Sequence, residues 1–162
     1  MLTLEELLTL DLLTLRAHTE RAGDTLDPEL HASRIRESLL ISQVCAVRRD
    51  GELVAYAMLS PESPTGTCWF VLAFNTHPLH RNPAVMFELF QAFFELVKRL
   101  GIEELRSNVY KTNILSMAFH KRLGFRITKE SVKGVEFFIS VAEIADNPAI
   151  ERTLKKLRGQ PG

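Results

Sequence analysis

The sequence predicts an α/β chain of the α+β kind, with one mixed central sheet flanked by helices and a helical segment at the N-terminus. Three observations predict it. Leucines recur at helical spacing over the first 21 residues, and short β-branched or apolar runs parted by turn residues begin at residue 43. Between residues 68 and 110 an apolar run, a helical run and a second strand-like run follow in order, which implies a right-handed crossover between parallel strands.

Each element has a local reason. In residues 3–21, TLEELLTLDLLTLRAHTER, Leu4, Leu7, Leu8, Leu12 and Leu15 share a helix face, and Gly23-Asp24 interrupts it. Asp27 before Pro28 reads as an N-cap with proline in the first turn, and Leu30, Ile35, Leu39 and Leu40 carry a second helix. Residues 43–49 and 52–60 read as strands joined by Asp50-Gly51, a hairpin-turn pair. After the break at 60–66, SPESPTG, the run CWFVLAFNT at 68–76 is almost continuously apolar, as in a central strand covered on both faces.

Asn82-Pro83 then starts a helix that runs to Leu100 and stops at Gly101. Its polar residues Glu88, Gln91, Glu95 and Lys98 form only a narrow stripe, so most of its circumference is expected to be buried. Residues 103–110 read as a strand and 112–123 as a helix stopped by Gly124 in the left-handed position. FRITKES (125–131) and VEFFISVAE (135–143) read as strands on either side of Lys133-Gly134, and a terminal helix starts at Asn147-Pro148.

The 162 residues fit a single domain, 1–162. Twenty basic and twenty acidic residues balance, so no global field draws the chain to nucleic acid or to an anionic membrane. No long apolar run is present, and MLTLEELLTL has neither a basic region nor a small-residue cleavage site, so a soluble protein of the cytoplasm is expected. Cys45 and Cys68 lack metal-site spacing and read as buried thiols; no metal is expected.

The chemistry is carried by Asn113 to Phe125, NILSMAFHKRLGF. With Asn113, Ser116, Phe119, His120, Gly124 and Phe125 at their spacing, it resembles the acyl-CoA-contacting helix of the GNAT superfamily of N-acyltransferases. From helix signals alone it reads as an amphipathic helix ended by glycine, with Asn113 as a cap. The resemblance covers about 43–141 and is strongest over 76–125.

The same resemblance implies that THPLHRNPAVM, 76–86, takes the place of the pyrophosphate-binding loop, with contacts from Arg81, Asn82, Ala84, Val85 and Met86. Helix-start amides attract phosphate because they lack partners and the helix dipole is positive there. Family members usually place glycine, then glycine or alanine, where this chain has Ala84 and Met86. Alanine adds one methyl, Pro83 removes a donor, and Met86 either crowds the pyrophosphate or turns into the core. Asn75 and Thr76 would lie beside the pantetheine arm, where the central strand diverges from its neighbour and frees an amide for the thioester oxygen.

His120 takes the place of the family's general acid, a proton donor to the departing thiolate; the alternative is a histidine on an exposed helix face. The usual strand carboxylate is missing, which leaves His77, His80, Glu52, Glu136 and a water chain open as routes for the amine's proton. The resemblance thus implies transfer of an acetyl or short acyl group from acetyl-CoA or another acyl-CoA to the primary amine of a small molecule or peptide, by direct attack. The alternative is a silent acyl-CoA-binding or interaction module with a degenerate loop.

Phe87, Phe90, Phe93 and Phe94 read as core, and KKLRGQPG at 155–162 as a solvated tail. Family members commonly open with a strand, for which only residues 1–4 leave room. The leucines at 4, 8, 12 and 15 leave a homodimer open.

Overall fold

The structure is a computed structural model that describes residues 1–159. Helix α1 (Leu4–Arg21) opens on a capping box: the Thr3 hydroxyl accepts from the Glu6 amide, and the Glu6 carboxylate accepts from the Thr3 amide. No strand precedes it, because the residues that had room for one form this cap. Helix α2 (Pro28–Leu39) starts at Asp27, whose carboxylate accepts from the amides of Glu29 and Leu30.

Strands β1 (Gln43–Arg49) and β2 (Glu52–Pro61) form the expected hairpin. Asp50 and Gly51 take φ of 50° and 83°, the pair of left-handed values that matches strand twist in a two-residue turn. Then come β3 (Cys68–Thr76), α3 (Pro83–Arg99), β4 (Glu104–Tyr110), α4 (Ile114–Arg122), β5 (Arg126–Glu130) and β6 (Gly134–Ser140). The chain ends with α5 (Val141–Ala145) and α6 (Pro148–Arg158).

One sheet takes the order β1-β2-β3-β4-β6-β5, parallel between β3 and β4 and antiparallel elsewhere. Helices α1 and α2 cover one face through Leu7, Leu10 and Ile35, which pack on Leu53, Tyr56 and Met58. On the other face α3 buries Val85, Leu89, Phe90, Phe93, Leu96 and Val97 in the main core, with α6 against it. Each such apolar side chain contributes about 1.5–3 kcal/mol of burial. Phe94 is half-buried on the same core, so three of these phenylalanine contacts are structural, as expected.

One boundary differs clearly from the sequence expectation. The strand read to Glu143 ends at Ser140, because the Ser140 hydroxyl accepts from the Glu143 amide and starts α5. The terminal helix α6 ends at Arg158 as its sequence implies, Lys155, Lys156 and Arg158 are exposed in its last turns, and residues 160–162 of the tail lie outside the described residues. Among the described residues no helix is long and apolar enough to cross a membrane.

Candidate active site

Strands β3 and β4 pair only at Cys68, Trp69 and Phe70 with Glu104, Leu105 and Arg106. Beyond that point β3 continues to Thr76 and β4 to Tyr110 without pairing, so a wedge opens between them. Its origin is a bulge: β3 pairs with β2 as Val71 with Leu59 and then Ala73 with Met58, which leaves Leu72 unmatched. An extra residue bends its strand and increases local twist. Leu72 is 47% exposed, so the apolar run is not covered on both faces as its composition suggests. The His77 amide donates to the Val54 carbonyl at 2.7 Å. By strand alternation Asn75 also bonds toward β2, and Phe74 and Thr76 turn their amides into the wedge.

The loop at the wide end leads into α3. The His77 ring accepts from the Leu79 amide at 3.1 Å, and a short 3-10 turn, Pro78–His80, carries the chain to exposed Arg81. Asn82 caps α3: its side-chain oxygen accepts from the Val85 amide at 3.0 Å and its carbonyl from the Met86 amide at 3.1 Å. Among the described residues none accepts from the amides of Arg81, Asn82 or Ala84. Met86 takes the inward course: it packs half-buried on the main core, and its sulfur accepts from the Thr76 hydroxyl at 3.5 Å.

Helix α4 starts on the opposite wall. The Asn113 side chain caps it by accepting from the Ser116 amide at 3.2 Å. Phe119 stacks on Phe74 at 5.6 Å and meets Phe90 tilted at 5.3 Å, closing the wedge on the α3 side. His120 is 8% exposed, so the alternative of a histidine on an exposed helix face is overturned. Its Nδ1 lies 2.7 Å from the Ser116 carbonyl, which only accepts, so Nδ1 carries the hydrogen. Nε2 then accepts from the Ser107 hydroxyl of β4 at 3.0 Å, and the ring stacks on Phe137 at 4.7 Å. Burial holds the imidazole below its usual pKa, against the smaller opposing effect of the Ser116 bond. In this arrangement both ring nitrogens are engaged, and neither is free for a departing thiolate.

The opposite face holds a buried polar network of which the sequence candidates include only Asn75. The Asn75 side chain donates to Asp11 Oδ1 at 2.7 Å, turned toward α1 and away from the wedge. Asp11, 3% exposed on α1, also accepts from the Tyr56 hydroxyl at 2.5 Å and meets His31 Nε2 of α2 at 2.7 Å. Burial and then the Asp11 charge push the Tyr56 hydroxyl far above its ordinary pKa. A signal was available: Asp11 follows Leu7 by four residues and so falls on the apolar face of α1.

A groove of about 500 Å³ lies between Asp24, Asn108, Tyr110, Lys133 and Glu136. Glu136 is buried and bonded to Arg106 at 3.2 Å and Thr128 at 2.9 Å, whereas Glu52 is exposed beside the hairpin turn. The last turn of α1 is strapped to the turn after β4 by Thr112 on the His18 carbonyl at 2.6 Å, and the loop after α1 to the end of β4 by Tyr110 on Asp24 at 2.6 Å. Lys133 joins the same Asp24 carboxylate.

A sheet wedged open between parallel strands, with a helix N-terminus at the wide end, defines a fold shared with solved N-acetyltransferases. The PaiA N-acetyltransferase of Thermoplasma acidophilum, in complex with coenzyme A, superposes with TM-score 0.65 at 16% identity, covering 85% of this chain and 92% of that one. The ribosomal-protein-alanine N-acetyltransferase of Brucella melitensis gives 0.60 at 17% identity, over 85% and 94%. An aminoglycoside 6'-acetyltransferase type Ii gives 0.64 at 16%, over 85% and 88%. The family model of the acetyltransferase (GNAT) family matches residues 6–125, and the chain belongs to this family. No curated protein matches it in sequence.

Proposed function

We propose that the protein transfers an acetyl or other short acyl group from acyl-CoA to a primary amine by direct attack. The observation that carries this reading is the wedge, which leaves the Phe74 and Thr76 amides without strand partners inside an otherwise paired sheet. A thioester carbonyl laid along β3 accepts from one of them, and the bond strengthens as negative charge grows on that oxygen. Removing such a donor costs roughly a hundredfold to a thousandfold in rate.

The pyrophosphate is assigned to the free amides of Arg81, Asn82 and Ala84 and to the Arg81 guanidinium. Val85 and Met86 contribute helix dipole rather than free donors, since their amides are taken by Asn82. Asn113 and Ser116 at the start of α4, with Phe119, form the facing wall, and Thr76 lines the pantetheine path, while Asn75 turns its backbone to β2 and its side chain to Asp11. His120 is assigned to seating α4 on β4, and the thiolate takes its proton through water. The general-acid role implied by the motif would require the ring to leave Ser107. Acceptors named for the structural relatives, an aminoglycoside and a ribosomal-protein alanine, both present amines; a small-molecule or peptide amine is the class proposed here.

The loop also supports a second reading, an acyl-CoA-binding module without turnover, because the Asn82 side chain and Pro83 remove two of the helix-start donors. One pair of measurements separates them. Acetyl-CoA at a hundred times its Kd should stabilise the fold by about 2.7 kcal/mol on either reading. Only the enzyme releases CoA thiol from acetyl-CoA when amines are added. No thermal shift with acetyl-CoA would remove both readings.

A further inference from the structure

We infer that His31, oriented by Asp11, takes the proton from the acceptor amine; the assignment rests on the acyltransferase reading above. Asp11 is buried on α1 yet faces three partners, and the Tyr56 and Asn75 bonds consume one oxygen while the other is given to His31 Nε2. A carboxylate only accepts, so Nε2 carries the hydrogen and Nδ1 keeps its lone pair. Among the described residues no group bonds to His31 Nδ1. The side chain is 16% exposed, enough to be reached by a small ligand or one water. A buried carboxylate behind an imidazole fixes its tautomer and stabilises the imidazolium that forms, and this is the requirement for a general base.

Its place in the fold fits that task. Asn75, bonded to the same carboxylate, stands between Phe74 and Thr76, whose amides face the wedge. His31 lies in the first turns of α2, just after the loop whose Asp24 holds Tyr110 of β4. Arg34, three residues on and therefore on the same helix side, lies close enough to Tyr110 for its charge to oppose the rise in that hydroxyl's pKa. This side of α2 is thus linked to β3 through the Asp11 carboxylate that His31 and Asn75 share, and to β4 through the charge of Arg34 near Tyr110. The charged and titratable groups of the elements packed here are Asp11 of α1, Tyr56 of β2 on the same carboxylate, Arg34 of α2 and, near Arg34, Tyr110 of β4 with Asp24.

The acceptor ammonium gives one proton to Nδ1, and its freed lone pair forms the C–N bond at the thioester carbonyl. The C–S bond then breaks with its electron pair on sulfur. The second nitrogen proton passes through water to the thiolate, and His31 returns its proton to solvent.

The test uses the full chain, acetyl-CoA, and a panel of n-butylamine, spermidine, an aminoglycoside and a peptide that begins with alanine. His31→Gln keeps a group able to bond Asp11 but has no basic nitrogen. It should bind acetyl-CoA with unchanged Kd by calorimetry, melt as the parent does, and lose about a hundredfold in kcat/KM at neutral pH. Its residual rate should rise more steeply with pH than the parent's, since only amine already deprotonated reacts. In His31→Ala, added imidazole should restore turnover in proportion to its concentration. Equal rates and pH profiles for His31→Gln and parent would overturn the assignment while leaving the acyltransferase reading intact. So would a loss accompanied by weaker acetyl-CoA binding, a lower Tm and no response to imidazole, which would mark a structural histidine. A parent that binds acetyl-CoA and acetylates nothing on the panel would overturn the acyltransferase reading, and His31 with it.

Discussion

His120 shows how far a side chain's surroundings can change what its type suggests. Histidine unfolded in water titrates near 6.5, but burial lowers its pKa in the fold. Above 6.5 both states are neutral and the stability is complete; as pH falls through that value the unfolded chain gains a proton that the folded chain resists. Stability should therefore decline from pH 7 toward 5, by up to about 1.4 kcal/mol per pH unit for one proton. His18, depressed by burial and by the charges of Arg21 and Arg81, adds in the same direction. His120→Phe should flatten the decline in urea unfolding measured at successive pH values; an unchanged slope would show that the ring is not held neutral. If turnover in that variant stays within tenfold of the parent's, the water route stands. A hundredfold loss without change in acetyl-CoA affinity would return the general-acid role to His120. At the loop, Arg81→Ala should weaken acetyl-CoA and lessen its salt dependence in calorimetry, because the guanidinium is exposed and screened.

Among the elements, α3 offers a sharper question, because its cap competes with phosphate for the same amide. Asn82→Gly frees the Val85 amide and, glycine being a tolerable N-cap, should cost only a few tenths of a kcal/mol in stability. Calorimetry should then find acetyl-CoA bound several-fold more tightly; weaker binding would mean that the Asn82 side chain itself holds the ligand. Elements were legible in sequence wherever their causes are local. Asp27-Pro28 and Asn82-Pro83 start helices where expected, and Asp50-Gly51 and Gly124 take the positive φ that their positions imply. The strand end at Ser140 was missed because VEFFISVAE is apolar on both sides of it, and only the serine cap marks the change. The site was less legible, since Asp11, His31, Tyr56 and Asn75 lie on four elements and meet only through tertiary packing. Composition could suggest that Leu72 is buried, but a register skip between two strands leaves no local trace.

For the whole molecule, balanced charge leaves recognition to local features, and the groove beside Asn108 and Glu136 mixes both signs. Of the α1 leucines that leave a homodimer open, Leu4 and Leu8 are in part spent within the chain, packed beside Leu7 and Leu10, which are buried on the sheet. The bulge at Leu72 has a mechanical consequence. With β3 and β4 joined over three residue pairs, the sheet is two stiff plates that meet at one corner, and the straps from Tyr110 and Thr112 act as stays across the open side. A ligand threaded between the plates would tie them along their free edges, so cofactor binding should register as stiffening far from the loop that grips its phosphates. Deuterium should enter the Phe74 and Thr76 amides quickly in the free protein, and acetyl-CoA should slow it there more than at the already paired Trp69.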